Sequence, residues 1–199
     1  MLHDISLTMT TKHIYRERFI MKRLLKIMIL LMIMISSANI AYTKEASPMQ
    51  FLYMVKQIFP ENSEIAVFMS KEAISTQEKS LQRAAAQTQT QPKLYVIENS
   101  ADIGKRLREL KKNTILILFE SELIMKKNSM MYILSKCKEN EILLVTSSKD
   151  YSDLGALLGL IYNEDNQLQV VLNLKHNLQL KPKFSEEFIQ VAGISQVIE

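Results

Sequence analysis

Thr114-Ile115-Leu116-Ile117-Leu118-Phe119 is the stretch whose reading decides the fold. Five apolar residues follow a threonine, with Lys111-Lys112-Asn113 before them and Glu120-Ser121 after. The run is too short for a helix, and its lack of alternation predicts a strand buried on both faces, as in a parallel sheet covered by helices. Two similar runs precede it, at Glu64–Met69 and Lys93–Glu98, and a third follows at Glu141–Thr146.

Helical patterns separate these strands. Phe51, Leu52, Val55, Ile58 and Phe59 recur at three- and four-residue spacing between Pro48 and Pro60, which predicts an amphipathic helix. Lys71–Gln87 is helix-compatible and dissolves into the polar tract Thr88-Gln89-Thr90-Gln91-Pro92. Asn99-Ser100 supplies capping chemistry for a helix running to about Lys112, lined by Ile103, Leu107 and Leu110. Ser121-Glu122 opens another, carrying Ile124, Met130, Met131, Ile133 and Leu134, with Met125, Met130 and Met131 expected as core filler. Four strands alternating with helices predict an α/β fold with a mostly parallel sheet joined by right-handed crossovers.

The rhythm changes after Gly155. Ala156–Tyr162 and Leu168–Leu174 flank the polar turn Asn163-Glu164-Asp165-Asn166-Gln167 and predict an antiparallel hairpin. Pro182 marks a loop, and Ser185 caps a final helix with Glu186 and Glu187 in its first turn.

Charge is unevenly distributed along the chain. Six of its 25 basic residues but only two of its 21 acidic ones lie in 1–43, so 44–199 carries nineteen of each. A neutral domain lacks the clustered positive surface that displaces counterions from phosphate, which argues against nucleic acid as a partner. Met21-Lys22-Arg23-Leu24-Leu25-Lys26 leads into nine apolar residues, Ile27–Ile35, and then Ser36-Ser37-Ala38. A basic stretch, a short apolar run and small residues form the pattern of a cleavable secretory signal. A membrane span needs about 20 apolar residues. The expected organisation is therefore a signal peptide over 21–43 and one domain over 44–199. Residues 1–20 are read as an upstream extension or cytosolic tail, with translation expected to start at Met21. Periplasmic location follows from that expectation, with membrane contact only through the signal peptide or a partner.

Ligands of open α/β sheets sit at the carboxyl ends of the strands. The candidates there are Ser70, Asn99-Ser100, Glu120-Ser121 and, as the richest loop, Thr146, Ser147, Ser148 and Asp150 with Gly155 close behind. No catalytic residue, cofactor or metal site is expected. His176 is the only histidine beyond the signal and lies in a polar stretch, while the four glycines form no phosphate-cradling motif. Ser147 or Ser148 with Lys149 is a weak alternative for nucleophilic chemistry. Cys137, the only cysteine, excludes an intrachain bridge and leaves a choice between a core residue and an intermolecular disulfide.

Ile142-Leu143-Leu144-Val145-Thr146-Ser147, Gly155-Ala156-Leu157-Leu158-Gly159-Leu160, Val171-Leu172-Asn173-Leu174 and Phe184–Ala192 together resemble the carboxyl-terminal third of the YfiR/HmsC-like family of periplasmic proteins. Ile58-Phe59-Pro60 stands where that family carries an aromatic-Pro pair, with Phe in place of the usual Trp, and the family's scattered cysteines reduce here to Cys137. The resemblance implies a non-enzymatic regulator that docks on the periplasmic domain of an inner-membrane signalling protein. Such a partner is commonly a diguanylate cyclase, and repressing it would alter cyclic-di-GMP signalling. A homodimer is the expected assembly, and a periplasmic small-solute-binding module is the rival reading.

Overall fold

The computed structural model describes residues 45–61 and 64–199, so the expected signal peptide and the residues ahead of it lie outside the described part. Helix α1 (Pro48–Ile58) begins at a capping box in which Ser47 accepts from the Gln50 N–H and the Gln50 side chain accepts from the Ser47 N–H. Strand β1 (Ile65–Met69) leads to α2 (Lys71–Thr88), β2 (Lys93–Val96) and α3 (Ser100–Glu109). Strand β3 (Ile115–Leu118) is followed by the short α4 (Glu122–Met125), α5 (Lys127–Glu139) and β4 (Leu143–Thr146). Then come α6 (Lys149–Leu154), β5 (Leu158–Tyr162), β6 (Leu168–Asn173), a 3₁₀ helix (Leu178–Lys183), α7 (Glu186–Val191) and β7 (Gln196–Ile198).

The seven strands form one sheet in the order β2-β1-β3-β4-β5-β6-β7. Pairing is parallel from β2 through β5, antiparallel within the β5–β6 hairpin, and parallel again between β6 and β7. The decisive stretch occupies the centre, with β1 on one side and β4 on the other. Because side chains alternate along a strand, β3 feeds two cores. Ile115 and Ile117 join Phe51, Leu52 and Val55 of α1 and Leu81 and Ala84 of α2 on one face. Leu116 and Leu118 join Ile103 and Leu107 of α3 and Met130, Ile133 and Cys137 of α5 on the other.

Five expectations need correction. The run at Lys93–Glu98 is not doubly buried: β2 is the edge strand, paired only with β1, and Val96 is exposed. The helix expected from Ser121 breaks at Lys126, whose extended backbone separates α4 from α5. Of its methionines only Met130 is fully buried, while Met131 is 53% exposed. The loop after β4 is in fact α6, and β7 returns beside β6 where no strand was expected.

The hairpin residues that carry the family resemblance have packing roles. A methyl group on Gly159 would come within 2.6 Å of Ser152 Oγ, so only glycine lets β5 lie against α6. Asn173 is fully buried; its Nδ2 donates to the Ser152 carbonyl at 2.7 Å and its Oδ1 accepts the His176 N–H at 3.3 Å. It thereby ties the end of β6 to α6, with both polar ends of its buried amide paired.

Candidate functional site

Sheet order reverses between β1 and β3: from β1 the chain goes outward to β2, then returns to β3 on β1's other side. Connections leave such a switch point in opposite directions and open a crevice at the carboxyl ends of the two strands. A cavity of about 490 Å³ lies there, lined by Ser70 and Lys71 after β1, Ile97 and Glu98 after β2, and Ser121, Glu122 and Lys126 after β3. Local chemistry shapes each wall. Ser70 Oγ accepts the Ala73 N–H and starts α2, and Ser121 Oγ accepts the Ile124 N–H and starts α4. Asn99 and Asp102 form a reciprocal cap on α3, with Asp102 Oδ2 also accepting the Glu98 N–H at 3.0 Å.

The charges around the crevice are of both signs. Lys71 Nζ lies 3.6 Å from Glu98, and Lys126 Nζ lies 3.5 Å from Glu122, with all four side chains more than half exposed. Exposed pairs of this kind contribute little to stability. Their groups are therefore free to exchange one partner for another at small cost.

A second cluster involves the ends of β3 and β4. The Glu120 N–H donates to Glu45 Oε1 at 2.7 Å, and Ser147 Oγ lies 3.4 Å from the same oxygen and 3.2 Å from Glu120 Oε1. A single hydroxyl hydrogen serves one of these acceptors at a time. The capping box at Ser47 and the buried Ala46 hold Glu45 in place at the start of α1. Burial raises the Glu45 carboxyl to about 7, the Glu120 N–H opposes the rise, and the neighbouring Glu120 charge adds to it. Burial also raises Glu120, with Ser147 opposing and Asp150 adding. Glu45 can lose or gain a proton near neutrality, and Glu120, also raised, precedes the crevice residue Ser121 in the chain.

The five residues of the expected ligand loop do not form one site. Thr146 Oγ1 accepts the Ser148 N–H at 3.0 Å, and Ser148 Oγ caps α6 by accepting the Tyr151 N–H. Both hydroxyls are buried and committed to backbone, while Asp150 is exposed in the first turn of α6. Ser147 hydrogen-bonds the carboxyls of Glu45 and Glu120, and the Asp150 charge acts on Glu120. Gly155 lies at the far end of α6, against His176. No hydrogen bond joins Lys149 to Ser147 or Ser148 among the described residues. Cys137 is 3% exposed and burial pushes its thiol up to about 12, so an intermolecular bridge would require the α5 packing to open. Among the described residues no group of three His, Cys, Asp or Glu could hold a metal ion, and no helix is long and apolar enough to cross a membrane.

Glu45 and Lys126 were not expected at a site. Glu45 lies just after the signal peptide expected over 21–43, far from its partners along the chain, and no local pattern marks it. Lys126 reaches the crevice only because the helix breaks there.

The architecture is that of an open, doubly wound α/β domain with a crevice at its switch point. No family model matches the chain, and no curated protein matches it. Several solved structures share its fold. A conserved domain protein from Vibrio cholerae aligns with a TM-score of 0.61 at 14% identity over 75% of this chain. The ABC domain from Streptococcus pneumoniae, solved in complex with L-Trp, aligns at 0.60 and 11% over 76%. The ligand-free, open structure of a substrate-binding protein with adhesive properties from Clostridium difficile aligns at 0.56 and 15% over 77%. The match spans 60% of the length of each of these structures, and at such identities the likeness is one of fold.

Proposed function

We propose that this chain is a non-enzymatic, exported binding domain that takes a small zwitterionic solute of amino-acid size in the switch-point crevice. The observation that carries this reading is the cavity of about 490 Å³ at the sheet's reversal, rimmed by Lys71 and Lys126 together with Glu98 and Glu122. A zwitterion brings one ammonium and one carboxylate, and each can take over one half of an exposed pair. The volume falls within the range of about 300–1,000 Å³ usual for ligand sites. Two fold neighbours, one solved with L-Trp and one described as a substrate-binding protein, support the reading.

The test is a thermal-shift screen of the full chain against the common amino acids and other small metabolites, followed by calorimetry. At least one zwitterion should raise the melting temperature, and a Lys71→Ala, Lys126→Ala double variant should lose that rise. A flat screen rejects the reading.

A second reading is a periplasmic regulator that docks on the periplasmic domain of an inner-membrane signalling protein, such as a diguanylate cyclase, and represses it. It rests on the YfiR/HmsC-like resemblance and on an exposed apolar pair. Tyr53 on α1 is 59% exposed and Val191 on α7 is 74% exposed. The two helices meet where Gln57, one turn on from Tyr53, donates to the Val191 carbonyl at 3.3 Å. Gene deletion should raise cyclic-di-GMP, and Tyr53→Ser with Val191→Ser should reproduce the deletion. Unchanged cyclic-di-GMP in the deletion strain removes the cyclase as partner.

A further inference from the structure

The opposite end of the sheet holds another cavity, of about 260 Å³, among the residues that enter β3, β4 and β5 and those that leave β6. Its origin is a gap in the sheet. Strand β4 pairs with β3 from Leu143 onward but with β5 only from Val145, so Leu143 and Leu144 have no partner residue on the β5 side. Leu143 belongs to one core and Leu144 to the other, and both line the cavity. The rest of the wall is mixed: Leu134, Cys137, Leu157 and Leu180 supply apolar surface, and polar side chains including Lys138, Glu141 and His176 stand among them.

Three residues with left-handed backbone converge on this space. Asn113 (φ 64°), Glu141 (φ 53°) and Gly155 (φ 130°) all line it, half of the six such residues among those described. The Asn113 N–H donates to the Glu141 carbonyl at 2.9 Å, joining two of them. A non-glycine residue in this region is unfavourable by itself and points to a place where shape matters more than local comfort. Gly155 allows His176 to close over it, since a methyl group there would lie 3.3 Å from His176 Cβ.

We infer that this cavity is a second ligand site, suited to a small carboxylate with an aromatic or branched aliphatic body. An apolar cavity of about 150 Å³ suffices to take up benzene, so 260 Å³ accommodates a ring with a short substituent. Charge at the rim selects the head group. Glu141 is neutralised by Lys112 at 2.7 Å, and the Asn177 amide is committed to the Gly155 and Asn173 carbonyls. Lys138 and the His176 ring have no hydrogen-bond or ion-pair partner among the described residues, which leaves cation and donor capacity for an anion. Cys137, kept as a neutral thiol by burial, adds to the apolar wall.

Calorimetry or ligand-observed NMR on the full chain with phenylacetate, the branched 4-methylpentanoate and the neutral phenylacetamide tests the inference. Phenylacetate should bind saturably and about two- to fivefold more tightly than the amide, the size expected of one exposed charge interaction. Lys138→Gln, an exposed change, should remove that preference, and Leu134→Trp should abolish binding by filling the mouth. Lys71→Ala, in the crevice, should leave phenylacetate binding unchanged. Absence of saturable binding by both carboxylates, binding indifferent to Lys138→Gln and Leu134→Trp, or loss in Lys71→Ala would each overturn it. A negative zwitterion screen leaves this result standing, because the two sites lie at opposite ends of the strands.

Discussion

The Glu45 carboxyl accepts a backbone N–H at the end of β3 in surroundings where burial raises it from 4.5 to about 7. A carboxyl whose folded value exceeds its unfolded one binds its proton more tightly in the native state, so stability is highest on the acid side and falls as pH rises between the two values. Glu120 shifts in the same direction and adds to the effect. Allowing for partial solvent screening, we expect a loss of about 1–2 kcal/mol across that window. Denaturant unfolding between about pH 5 and pH 8 should show this slope, and Glu45→Gln should flatten most of it; parallel curves for the two proteins would refute the assignment. Gly159 offers a second test at this scale. Gly159→Ala should cost about 1–3 kcal/mol from its clash with Ser152, and Ser152→Ala should recover part of that loss. Ser152 Oγ is buried with no hydrogen-bond partner among the described residues, so Ser152→Ala alone should be neutral or stabilising. Thermal melts of the three variants measure all of this. Neither role was legible in advance: Gly159 was visible as a glycine in an apolar run, but its neighbour Ser152 lies on α6, a helix that the sequence reading missed.

Strand β3 was the most legible element because it is central and covered on both faces, so its apolar content has no competing explanation. Leu116 and Ile117 are consecutive yet face opposite cores. Each alanine substitution should therefore cost about 2–5 kcal/mol. Both should move a single urea transition, seen alike by circular dichroism and tyrosine fluorescence, because one sheet carries both cores; two separated transitions would show that the faces fold independently. The misread elements fail for identifiable reasons. Strand β2 has the same apolar residue types as its neighbours, but position at a sheet edge is not a local property. The break at Lys126 leaves apolar residues in helical spacing on both sides, so the pattern continues across it. Helix α6 has six residues, too few to show a period, and Tyr151 and Ser152 are buried by tertiary neighbours. Strand β7 has three residues and exists as a strand because β6 offers it an edge.

At the scale of the molecule, the crevice gathers residues from after β1, β2 and β3, and its neighbouring carboxyl pair joins positions 45 and 120 across 75 residues of chain. The pattern of apolar runs determined by itself that there would be a mostly parallel sheet with helices on both faces and a hairpin at its carboxyl end, because burial of short apolar runs and the turn at Asn163–Gln167 are local consequences of residue type. Charge balance after residue 43 and the apolar run ahead of it are likewise properties of the string alone. Strand order, the place where it reverses, the gap between β4 and β5, and the meeting of Glu45 with Glu120 and Ser147 were decided only in three dimensions. Each depends on which strand finds which neighbour, and that choice is made by long-range packing of surfaces that look alike when read one residue at a time.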